Sequence, residues 1–105
     1  MDELKNLSNT EFASKIQSDN NAVIIDVRTK DEFYSGHIPN ALLFDIYSPK
    51  FPQKIVELDK SKNYYLYCRS GNRSYHAGIY MISEGFVSVH HLQDGIISWS
   101  EKLEI

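Results

Sequence analysis

The chain has one cysteine, Cys68, in 105 residues, so an internal disulfide framework cannot form and a four-thiolate zinc site is excluded. Stability must come from packing. No segment approaches the ~20 apolar residues needed to span a bilayer, and the N-terminal MDELKNLSNT lacks the basic stretch and apolar run of a leader. Positive charge is not in excess either: the formal net charge is −3, which offers no broad attraction to nucleic acid or to an anionic membrane. The expectation is a cytoplasmic protein with no nucleic-acid and no membrane partner. Internal repeats, low-complexity tracts and long Gly/Pro/Ser linkers are missing, so a single domain over 1–105 is expected. The histidines, His37, His76, His90 and His91, show no metal-ligand spacing, and His90 and His91 would face opposite ways on a strand. Surface or hydrogen-bonded structural roles are expected for all of them.

Apolar residues make up 42% of the chain and charged residues 24%, an ordinary balance for a folded globular protein. Strand and helix signals alternate. Ser8-Asn9-Thr10-Glu11 reads as a capping box opening a helix with Phe12 and Ile16 on one face. Val23-Ile24-Ile25-Asp26-Val27 reads as a strand covered on both faces. Thr29-Lys30-Asp31-Glu32 is a second capping box, and Gly36 can end its short helix. Ala41-Leu42-Leu43-Phe44 is another apolar segment, and 49–58 is weakly helical, with Pro52 complicating its start. Tyr64-Tyr65-Leu66-Tyr67-Cys68 reads as a strand, 74–84 as a helix stopped by Gly85, 87–92 as a strand and 95–102 as a final helix carrying Ile96 and Trp99. Such alternation predicts an α/β fold with a largely parallel central sheet of about five strands flanked by helices.

In such sheets ligands gather at the carboxyl edge of the strands, and Cys68 falls there. Beyond it, Arg69, Ser70, Gly71, Asn72, Arg73 and Ser74 lead into a helix whose free N–H groups and dipole favour an anion. Gly71 permits a tight turn, and successive amides can form an anion-binding nest. With Arg69 and Arg73 close by, this setting favours thiolate, the reactive form of cysteine. A free cysteine at a strand end is by itself more often an inert apolar residue. The combination of strand, Cys, two arginines, Gly and helix outweighs that reading.

The chain resembles the rhodanese family over nearly its whole length. Cys68-Arg69-Ser70-Gly71-Asn72-Arg73-Ser74 is similar to that family's catalytic loop. Ile25-Asp26-Val27-Arg28, Glu32-Phe33 and Gly36-His37-Ile38-Pro39-Asn40-Ala41 resemble its first signature, and Asp94-Gly95-Ile96 with Trp99 its last. Asp94 stands where the family has the first of two glycines, a substitution expected because Asp tolerates left-handed backbone.

The resemblance implies a rhodanese-like fold and a sulfurtransferase of the thiosulfate:cyanide class. Cys68 would carry sulfur as a persulfide, with residues 69–74 as the anion loop. The donor would be thiosulfate or polysulfide, the acceptor a thiol, cyanide or a protein, and no metal or organic cofactor is required. Asp26 and Arg28 are candidate supporting residues, although a structural ion pair is the favoured reading of Asp26. Two other functions are weighed: a sulfur-delivery or regulatory binding module for a protein partner, where the retained Cys68 and loop arginines argue against an inactive domain but leave sulfur delivery open, and a cysteine phosphatase or arsenate reductase, whose loops hold one more residue between cysteine and arginine.

Overall fold

The computed structural model describes residues 3–105; Met1 and Asp2, part of the stretch read for a leader, lie outside them. Five strands, β1 (Lys5–Leu7), β2 (Ala22–Asp26), β3 (Leu42–Leu43), β4 (Asn63–Tyr67) and β5 (Ser88–Leu92), form one parallel sheet in the order β1-β5-β4-β2-β3. The helices are α1 (Asn9–Ser18), α2 (Lys30–Ser35), α3 (Phe51–Val56) and α4 (Asn72–Ser83). Both capping boxes form: the Ser8 and Thr29 side chains accept the amides of Glu11 and Glu32, whose carboxylates accept the cap amides in return.

Alternation along β4 sorts its side chains between two cores. Tyr64 and Leu66 join Ile25, Phe51, Ile55, Ala77 and Met81 on the side of α3 and α4, and Cys68 belongs to this cluster. Tyr65 and Tyr67 face the opposite way, with Phe12, Ile38, Leu92 and Ile96. The tyrosines are therefore strand residues, and their hydroxyls are satisfied inside the molecule: Tyr67 accepts the Ile38 amide at 3.0 Å and Tyr65 donates to Asp19 at 2.8 Å. Nothing in this arrangement makes an aromatic binding stripe.

Two features differ from the sequence reading. The edge strand β1 is only three residues with two polar side chains outward, too short for a periodic signal. The helix expected over 95–102 is a single 3₁₀ turn, Ile96–Ser98, after which Trp99 is extended. Its exit has two causes. The Trp99 indole packs edge-on against Phe12, with ring centroids 5.8 Å apart, and Glu104 is drawn back to His37 by two backbone hydrogen bonds of 2.8 Å. Ile96 and Trp99 still share one core, because a spacing of three is the repeat of a 3₁₀ turn.

The turn after β5 seats against the loop after β4. The amides of Ile96 and Ile97 donate to the carbonyls of Cys68 and Arg69 at 2.9 and 3.1 Å. Approach this close requires glycine on both sides. A Cβ on Gly71 (φ 103°) would collide with the Gln93 carbonyl oxygen, and one on Gly95 (φ 78°) with that of Arg69. Asp94 is not in the left-handed region, where the only non-glycine is Asn40 among the described residues. Its tolerance for that geometry is thus not what admits it. Gly95→Ala should cost about 3 kcal/mol in chemical denaturation; a loss below about 0.5 kcal/mol, the range of an ordinary surface change, would mean that the two turns separate freely.

Candidate active site

Cys68 is the first residue beyond β4, a strand paired on both edges, so its backbone position is set by β2 and β5. The residue is 1% exposed. Its Sγ accepts the amide of Gly71 at 3.1 Å and that of Ser74 at 3.3 Å, and the Ser74 hydroxyl oxygen lies 3.6 Å away. These amides converge because Gly71, in left-handed geometry, ends the loop and starts α4 at once. The helix therefore begins at Asn72, ahead of the expected 74, and the Ser74 amide of its first turn is directed at the sulfur together with the helix dipole. The two amides favour negative charge there, while the Ser74 oxygen can accept from the neutral thiol.

The loop arginines differ. Arg73 makes a two-pronged ion pair with Glu32 of α2, Nη1 to Oε1 at 2.8 Å and Nη2 to Oε2 at 2.9 Å, and its guanidinium lies 5.7 Å from the Tyr47 ring centre. The pair ties α2 to α4. The Arg73 hydrogen bonds hold the Glu32 carboxyl down to about 2, and the same contact raises the proton affinity of Arg73 further. Arg69, Ser70 and Asn72 are exposed, and their side chains make no hydrogen bond among the described residues. Ser74 is fully buried.

Asp26 and Arg28 satisfy each other. Arg28 donates to both Asp26 oxygens through Nε and Nη2, between 2.7 and 3.1 Å, and its Nη2 also donates to the Gly36 carbonyl at 2.7 Å. The Arg28 amide donates to Asp26 as well, at 2.9 Å. Both residues are buried, and together they fix the turn after β2 and the end of α2. Neither forms a hydrogen bond with Cys68 among the described residues.

Two residues near the site had only structural readings in the sequence. Glu32 is the capping-box partner of Thr29, yet the carboxylate that closes the cap also grips Arg73; its place just past the carboxyl end of β2 was the available signal. His91 bonds Ser74 at 2.9 Å, a contact made by β1, β5 and α4 coming together and invisible in local spacing. Of the other histidines, His37 stacks on Phe33 and His90 on Tyr65, at 3.8 and 4.3 Å between centroids, and His76 is exposed. Among the described residues no cluster of His, Cys, Asp or Glu could hold a metal, and no helix is long and apolar enough to cross a membrane.

A family model for the rhodanese-like domain matches residues 8–102. The chain belongs to that family. Among its relatives, a putative sulfurtransferase YtwF of Bacillus subtilis is 36% identical over 97 residues, covering 92% of this chain and 91% of that protein. A sulfurtransferase of Allochromatium vinosum is 33% identical over 89 residues, covering 85% and 81%. The crystal structure of a rhodanese-like domain protein from Staphylococcus aureus is similar at a TM-score of 0.83 and 30% identity, over 96% of this chain and 97% of that one. The five-stranded parallel sheet is the rhodanese-like fold, and the family is one of sulfurtransferases, which take sulfur from a donor to an acceptor.

In this rhodanese-like domain the Glu32–Arg73 pair sets a pH dependence. Because the Glu32 value falls from 4.5 to about 2 on folding, the pair's contribution is whole above pH 4.5 and is lost as pH drops toward 2. Glu32→Gln should therefore be less stable than the parent by about 1 kcal/mol near neutrality, with the difference closing through that window. Denaturation series of both proteins at several pH values would check it; a gap that stays constant down to about pH 2 would contradict it.

Proposed function

We propose that the protein moves a sulfane sulfur from a small donor, thiosulfate or polysulfide, to a thiol, cyanide or protein acceptor through a persulfide on Cys68. The observation that carries this reading is the convergence of the Gly71 and Ser74 amides on one sulfur at the head of α4. With thiosulfate, the thiolate attacks the outer sulfur, a new S–S bond forms and the donor's S–S bond breaks, with the electron pair leaving on sulfite. The persulfide keeps the negative charge. An acceptor such as cyanide then attacks the outer sulfur, and the electron pair of the broken S–S bond returns to Cys68 as thiolate while thiocyanate departs.

The residues divide this work by their surroundings. Loop amides and the α4 dipole balance the anion at each stage without moving. Arg73 is already neutralised by Glu32, so it shapes the cradle. Arg69 has no ion-pair partner among the described residues and supplies attraction for an anionic donor at the entrance. Asp26 and Arg28 support the neighbouring turn from outside the reaction. Burial of Cys68 suits a small donor, and adding one sulfur extends the side chain by about 2 Å, so the transferable atom is the one an acceptor meets.

A cysteine phosphatase reading fits less well, since only four residues separate Cys68 from Arg73 and the two amides already bond the sulfur itself. Cys68→Ser should reduce thiocyanate formation from thiosulfate and cyanide to background while leaving the melting temperature near that of the parent, since a hydroxyl fills the site but cannot form a persulfide. Parental turnover in the folded variant would remove Cys68 from the reaction.

A further inference from the structure

His91, at 3% exposure, has a polar neighbour at each ring nitrogen. Nε2 lies 2.8 Å from Asn6 Oδ1 on the edge strand β1, and Nδ1 lies 2.9 Å from Ser74 Oγ in the first turn of α4. The same Oγ is 3.6 Å from Cys68 Sγ. A line of side chains thus runs from the sheet edge to the nucleophile through Asn6, His91, Ser74 and Cys68. The sulfur-transfer scheme above uses only the Ser74 amide and leaves this line without a task.

The direction of its hydrogen bonds is constrained. An amide oxygen only accepts, so Asn6 Oδ1 places a proton on His91 Nε2, and in the neutral ring Nδ1 must then accept. The hydrogen within its reach is that of the Ser74 hydroxyl. The Gly71 carbonyl, 3.2 Å from Oγ, is the other acceptor within reach, and the His91 nitrogen is the nearer of the two at 2.9 Å. With its one proton directed at His91, Oγ faces the sulfur as an acceptor, an arrangement suited to S–H. Loss of that proton reverses the demand: the anion needs Oγ–H turned toward it, and Nδ1 would be stranded in a buried place unless it carries a proton and donates to Oγ. The line is fully satisfied in two states, thiol with neutral imidazole and thiolate with imidazolium.

We propose that His91 stores the proton of Cys68, ionisation of the thiol and protonation of His91 being a single event relayed by the Ser74 hydroxyl. The Sγ–H bond breaks and Oγ takes that proton; Oγ releases its own to Nδ1, where a new N–H forms. Two protons shift, the net transfer from Sγ to Nδ1 is one, net charge is unchanged and no further reactant is needed. This inference rests on the sulfur-transfer reading only for its purpose, because thiolate and persulfide alike call for the turned hydroxyl. His91 touches Ser74 and not the reacting atoms, so it is a positioning residue.

The groups facing His91 are Asn6 from β1, Ser74 and Tyr75 from α4, the latter with ring centroids 6.0 Å apart, and Leu66 in register on β4. None of these is charged near neutrality. Burial alone lowers the proton affinity of His91, which keeps the ring neutral beside an uncharged thiol. An anion at Sγ is the compensating charge that would let the ring accept a proton.

The test is the rate of Cys68 alkylation by iodoacetamide from about pH 5 to 9 in the full chain, for the parent, His91→Gln, Ser74→Ala and the double variant. Gln keeps polar atoms for both neighbours but cannot take up the charge. Because the transfer leaves the net charge unchanged, its extent does not vary with pH: the parent should show a plateau of alkylation near neutrality that falls about tenfold in each single variant and no further in the double. In parallel, imidazole nitrogen NMR of the parent across that plateau should show His91 carrying a second proton in the same proportion as Cys68 is thiolate. Capping the sulfur with methyl methanethiosulfonate should keep the ring neutral over the same range. An unchanged alkylation profile in folded His91→Gln overturns the relay, as does a His91 titration indifferent to capping, which decides the matter if the variant does not fold. Neither readout requires sulfur transfer. A His91-dependent profile in a protein that never gains sulfur would retain the relay and discard the persulfide, and the converse result would do the opposite.

Discussion

A loop that aims its amides inward at an anion must turn its carbonyls outward, and those oxygens need donors of their own. Here the donors come from the other end of the chain. Ile96 and Ile97 bond the carbonyls of Cys68 and Arg69 from the 3₁₀ turn after β5, and Gly71 and Gly95 let the two backbones meet. Without that seat the Gly71 and Ser74 amides have no fixed direction, and the sulfur loses its cradle. The other supports act around this contact: Glu32 holds the side of α4 through Arg73, and Asp26 with Arg28 stiffens the adjoining turn.

Charge is handled by pairing on the periphery and by dipoles at the centre. Asp26 with Arg28 and Glu32 with Arg73 cancel one another, so the full charges nearest the site do little to set the potential at Sγ. What remains is backbone N–H and helix dipole, both fixed before any donor arrives. Preorganised groups of this kind stabilise an anion without having to move. The exposed Arg69 adds a salt-sensitive attraction outside that arrangement.

The fold was legible in the sequence where the signals are local. The β-branched run at β2, the aromatic run at β4 and both capping boxes lie where the residue types put them, within a residue or two. The cysteine loop was legible for the same reason, since strand end, Gly71 and helix start are adjacent in the chain. Tertiary pulls were not: Trp99 leaves its helical pattern for Phe12, and β1 exists only because β5 offers it an edge. The second partner of Glu32 and the bond from His91 to Ser74 likewise join residues 41 and 17 positions apart, a relation that no window of sequence displays.

The most direct test of sulfur carried on Cys68 is the intact mass of the protein before and after incubation with thiosulfate or polysulfide, followed by peptide mapping. The account predicts a gain of one sulfur atom on the peptide containing Cys68, lost again on addition of cyanide or a thiol reductant. A mass that never changes with any sulfane donor, in folded protein whose Cys68 still reacts with iodoacetamide, would contradict it.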